Sequence, residues 1–72
     1  MEIYITFGQN HTHRVNGVTF DKDTVARIKC KDKEEGKKLA FELFGDKFFT
    51  DYSYDQIQKS LEYFPRGIFN AN

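Results

Sequence analysis

His11 and His13 stand two residues apart in the most unusual stretch of the chain, Gln9-Asn10-His11-Thr12-His13-Arg14-Val15-Asn16-Gly17-Val18-Thr19-Phe20. On a strand that spacing puts both imidazoles on one side, where they can share one ligand or one metal ion. Asp21 and Asp23 follow, so a nitrogen–oxygen ligand set can be drawn. No third ligand has diagnostic spacing, however, and packing beside Phe20 with a backbone hydrogen bond suits two strand histidines as well. An organic ligand or partner is therefore preferred to metal, and no cofactor is expected. The second anchor is Tyr63-Phe64-Pro65-Arg66-Gly67, a rigid turn presenting Arg66 beside two aromatics. A guanidinium so placed suits a phosphate, a carboxylate or a partner. Ordinary C-terminal packing with a solvated arginine is the competing reading, and Arg14 carries the same ambiguity.

A third constellation is a sheet face bearing Tyr4 and Thr6, Arg27 and Lys29, and Phe49. Aromatics interleaved with basic side chains stack bases and hold phosphates on open sheets. The neutral net charge argues against a polynucleotide, and a second helix or a partner could cover this face. Nucleophilic chemistry has little support. Cys30, the single cysteine, falls on the inward side of a strand, where thiols are inert. The chain has no nucleophile elbow, P-loop or zinc-type spacing, so it reads as a non-enzyme.

The element that must position these residues is Asp32–Gly45. Asp32 and Glu35 have capping-box spacing, and Gly36, Leu39, Ala40, Leu43 and Phe44 form one apolar stripe. Gly45 stands where a left-handed residue ends a helix. Before it, Glu2–Phe7 alternates as a half-buried strand, with Ile3, Ile5 and Phe7 inward. Asn16-Gly17 between two valines is the signature of a type I′ hairpin, which pairs Val15 with Val18 and His13 with Phe20. Thr24–Lys31 is a further strand with Ala26, Ile28 and Cys30 towards the helix, and Lys47–Tyr52 is another. Ser53 and Gln56 cap a short helix striped by Tyr54, Ile57, Leu61 and Phe64, and a brief Ile68–Phe69 extension follows the proline turn. The expected fold is one small α+β domain over residues 1–72, in β-hairpin-β-α-β-α order. Its sheet is antiparallel or mixed, with the helices packed on one face.

So short a chain has room for one modest core and has no disulfide to brace it. Eight Phe and four Tyr help, because each ring buries a large apolar area. Self-association would help too. The zero net charge conceals a basic block at residues 27–38, about +3, and an acidic block at 42–62, about −3. Two solvated faces explain this, and so does a homo-oligomer. There is no apolar run of membrane-spanning length and no leader, so a cytoplasmic protein is expected.

The run Tyr4-Ile5-Thr6-Phe7-Gly8-Gln9-x-His11-x-His13, then Asn16-Gly17, Val25-Ala26-x-Ile28, Ala40-Phe41-x-x-Phe44-Gly45 and Tyr63-Phe64-Pro65-Arg66-Gly67 resembles small accessory proteins of bacteriophage and prophage genomes, a functionally undefined group. The resemblance implies a role against host defence, in the host bacterial cytoplasm. Such a protein binds a defence protein or sequesters its signal. The expectation is a non-enzymatic binding protein, homo-oligomeric, that takes a small anionic or nucleotide-like ligand through Gln9, His11, His13, Arg14 and Arg66. A host defence protein is the alternative partner; a membrane is excluded and nucleic acid disfavoured.

Overall fold

The computed structural model describes residues 1–72. Strands β1 (Glu2–Thr6), β2 (His13–Val15), β3 (Val18–Phe20) and β4 (Thr24–Lys29) precede helix α1 (Lys33–Phe44). Strand β5 (Thr50–Tyr52), the short helix α2 (Tyr54–Gln58), a 3-10 turn at Leu61–Tyr63 and strand β6 (Gly67–Asn70) complete the chain. This is the expected α+β class. Four strands make a mixed sheet in the order β5-β1-β4-β6, while β2 and β3 form a separate hairpin. β1 runs antiparallel to both β4 and β5, and β6 runs parallel to β4. The Ile68–Phe69 extension is thus a full edge strand. No helix is long and apolar enough to cross a membrane.

Local chemistry sets the element ends. The Asp32 side chain accepts from Glu35 N at 2.8 Å, and Glu35 Oε1 reaches back to accept from Lys31 N at 3.0 Å. Gly45, at φ 65°, closes α1 by donating its N–H to Phe41 O. Asn16 and Gly17 both have positive φ, as a type I′ turn demands, and the register pairs His13 with Phe20 and Val15 with Val18. The full capping box at Ser53 and Gln56 starts α2.

The helices do not share a face. Ile3, Ile5, Phe7, Ala26 and Ile28 meet Ala40 and Phe44 of α1 in the larger core. Tyr4 and Val25, which point the other way from β1 and β4, meet Ile57 of α2 in a smaller one, with Tyr52, Leu61, Phe64 and Ile68 around it. The expected placement of both helices on one side is met by α1 alone. Consequently β1 is buried on both faces: Tyr4 is 1% exposed and Thr6 3%. The alternation in Glu2–Phe7 marks two different cores, because a tyrosine ring packs well beneath a small helix.

The strand expected over 47–52 begins only at Thr50. Before it, Phe49 N bonds Thr6 O at 2.8 Å, but the period of two is broken. Phe48 packs against the α1 core while Tyr52 packs against the α2 core, so the two do not lie on one side as their spacing suggests. Phe49 is left 68% exposed.

Candidate functional site

His13 is half-buried at the margin of the larger core. Its ring lies 5.1 Å from Phe44 and 5.8 Å from Phe7, centroid to centroid, in an aromatic cluster completed by Phe20. Its Nε2 is 2.6 Å from the carbonyl oxygen of Lys47. A carbonyl only accepts, so Nε2 carries the proton and donates. His13 thereby ties the hairpin to the segment that follows α1. No three His, Cys, Asp or Glu side chains come together in a group that could hold a metal ion. Asp21 is engaged locally: its Oδ1 accepts from Asp23 N, and its Oδ2 lies 3.3 Å from Arg66 Nη1.

Arg66 is an anchor, and what it anchors is the chain itself. Nη1 donates to Thr19 O at 3.0 Å as well as to Asp21, and the guanidinium lies 5.8 Å from the Phe69 ring centroid. The backbone N–H of Arg66 donates to Asp23 O. The proline turn is stapled to the end of the hairpin by these contacts. Arg14 projects from the opposite face of the hairpin, exposed, with no ion pair or hydrogen bond.

Gln9 and His11 do meet. With Phe7, Gly8, Asn10 and Phe49 they line a shallow hollow of about 450 Å³. Gly8, Gln9 and Phe49 also border a second depression of about 200 Å³, whose other walls are Thr6, Lys22, Tyr52, Tyr63 and Phe64. The Phe49 ring stands between the two as a shared wall. Of the five residues expected to form a site, two therefore lie together, Gln9 and His11, and the other three lie elsewhere.

The position of this double hollow follows from the elements. It sits at the C-terminal end of β1, where the chain leaves the sheet through Gly8 at φ 65°. On one side the broken strand before β5 throws Phe49 outward. On the other, the 3-10 turn leaves Tyr63 70% exposed, and the turn between β3 and β4 contributes Lys22. Lys22 Nζ lies 3.1 Å from both Asp23 carboxylate oxygens, so its charge is partly neutralised. Thr6, one of the lining residues, carries the one buried side-chain polar atom of the protein without a hydrogen-bond partner, Oγ1.

The nucleic-acid face does not survive as an open surface: Tyr4 is covered by α2 and the turn after it, and Thr6 is buried as well. Burial raises the Tyr4 phenol above its ordinary value; the Arg27 hydrogen bond opposes the shift and the Glu2 carboxylate, 3.2 Å from the hydroxyl, adds to it. Arg27 is held in turn by Asn70 Oδ1 at 2.7 Å. Burial also pushes the Cys30 thiol up, consistent with an inert side chain against the helix.

Lys22 and Tyr52 escape a sequence reading as site residues because they come from two distant segments. One signal was present in the Phe48-Phe49 pair. In a period of two, one of two adjacent rings must face away from the core. Compared with known proteins, the chain matches no family model, no curated protein and no solved structure.

Proposed function

We propose that the chain is a non-enzymatic binding protein of the bacteriophage accessory type, which works in the host bacterial cytoplasm by sequestering a small nucleotide-like signal of host defence. The observation that carries this reading is one depression bordered by two exposed rings, Phe49 and Tyr63, together with Gln9 and Lys22. Exposed rings stack planar heterocycles, an amide reads polar edges, and a single lysine suits a ligand of low negative charge. Asn10 and His11 extend the polar margin into the neighbouring hollow. Arg14 and Arg66 are not needed for this site. Away from the depression, exposed Phe41 and Tyr54 supply apolar surface that a homo-oligomer would bury.

The test is native mass spectrometry of protein purified from phage-infected, defence-competent bacteria. The expected result is a multimer with added mass in the nucleotide range, lost in Phe49→Ala. A protein that carries no small molecule from such cells, and binds no nucleotide offered to it, defeats the reading. A second reading, direct inhibition of a host defence protein, is favoured by the shallow form of both hollows, since pockets for small molecules enclose most of their ligand. Recovery of a stoichiometric host protein without a small molecule would establish it instead.

A further inference from the structure

We propose that the depression over Thr6 is a nucleobase pocket, in which the Thr6 hydroxyl and the Gln9 side-chain amide read the polar edge of a ring stacked against Phe49 or Tyr63. The inference rests on the binding function proposed above and names the part of the ligand this site takes.

Thr6 lies on the same face of β1 as Tyr4 and is paired in register with Thr50. Thr6 is one of the residues that line the depression, and it is only 3% exposed. Every other buried side-chain nitrogen or oxygen has a hydrogen-bond partner; Thr6 Oγ1 has none. A buried hydroxyl without a partner is a standing cost to the fold, and valine would fill the same space without it. The hydroxyl gains its missing partner if the occupant of the depression brings one. A change of χ1 rotamer carries Oγ1 to another side of Cβ with no change in side-chain volume, so the hydroxyl turns towards the occupant within the space beside the depression.

The walls narrow the chemistry. Phe49 and Tyr63 are among the most exposed large side chains of the protein, and both border the same depression. Its volume, about 200 Å³, accommodates a single ring system and leaves the remainder of a ligand outside, towards Asn10 and His11. A hydroxyl and a primary amide each donate and accept, which matches the mixed donor–acceptor edge of a nucleobase. Lys22, already shared with Asp23, is a weak phosphate site. The ring therefore supplies most of the recognition, and a nucleoside should bind nearly as well as its monophosphate.

Titration calorimetry of the intact protein with AMP, GMP, CMP, UMP and the four nucleosides tests this, with Thr6→Val, Thr6→Ser and Phe49→Ala alongside wild type. Thr6→Val should weaken binding of the preferred base by about tenfold, the loss of one hydrogen bond, while its melting temperature stays the same or rises. Thr6→Ser, which keeps the hydroxyl, should retain binding. Phe49→Ala should lose about tenfold or more through the missing stacking surface. Unchanged affinity in Thr6→Val with wild-type binding intact overturns the role of Thr6 and leaves the binding function standing. Absence of binding by wild type to every nucleotide and nucleoside overturns both.

Discussion

Replacing Gly36 by alanine should destabilise the protein, although the same change in an ordinary helix stabilises it. Gly36 sits within α1, where alanine is normally favoured over glycine by about 1 kcal/mol. Here an added Cβ would lie 2.8 Å from Ile3 Cδ1, 2.9 Å from Cys30 Sγ and 3.0 Å from Ile3 Cγ1. The half-buried Cys30 side chain can turn aside. Ile3, 2% exposed in the middle of the larger core, cannot. Overpacking of this kind typically costs about 1–3 kcal/mol. After subtracting the helix-propensity gain, a net loss of about 1 kcal/mol is expected, which in a domain of this size lowers Tm by about 4–8 °C. The companion change is Ile3→Val, which removes Cδ1 and alone costs about 0.5–1.5 kcal/mol. In that background Gly36→Ala should become neutral or stabilising, a coupling of about 1 kcal/mol in a double-mutant cycle read by urea denaturation. If Gly36→Ala stabilises by about 1 kcal/mol in both backgrounds, the close approach of α1 to the sheet at Ile3 is refuted.

Three further outcomes follow from the described contacts. Arg66→Ala removes the bond to Thr19 O and the pair with Asp21, both partly exposed, and should cost about 1 kcal/mol; amide exchange should quicken in β3 and at the start of β6 more than in α1. Gly17→Ala forces an alanine to φ 79°, and should cost about 1–2 kcal/mol in chemical denaturation without altering helix content. Tyr4 has a folded-state pKa raised above the 10.0 of an unfolded tyrosine, so its contribution is complete below pH 10.0 and disappears as pH climbs through the higher folded value. Ultraviolet titration of the four tyrosines should show one ionising late and together with unfolding; four ordinary, simultaneous titrations would contradict its burial under α2.

Features written in neighbouring residues were legible in the sequence. Asn16-Gly17 specifies its own turn, and Asp32, Glu35 and Gly45 bound α1 through contacts within one helical turn. Features that depend on distant partners were not. Nothing near Ile68 says that it will pair with Val25 in a parallel ladder, and an alternating strand looks the same whether its second face meets water or a second helix. The candidate site divides in the same way. Gln9 and His11 stood out by composition, and they lie together. Arg66 and His13 also stood out, but their partners, Thr19, Asp21 and Lys47, lie 34 to 47 residues away and are chosen by the fold. Lys22 and the unpartnered Thr6 hydroxyl become visible only when the hairpin turn, β1 and the 3-10 turn converge.

The parallel pairing of β6 with β4 also governs the order in which the molecule assembles. β1, the hairpin and β4 are close in sequence and can associate early, whereas β6 must close a long loop that contains α1, β5 and α2. Topologies of this sort fold more slowly than local ones of equal length, because loop-closure entropy is lost before the contacts form. β6 should therefore dock late and detach first. Each detachment bares the outer edge of β4 and the ring of Phe69, an unpaired strand beside apolar surface, which is the geometry from which strand-to-strand aggregation begins. Asn72, whose side-chain amide bonds both the N–H and the carbonyl of Lys29, closes that edge beyond the last residue of β6. The final residues thus act as a latch on the sheet, and their loss should show first as reduced solubility.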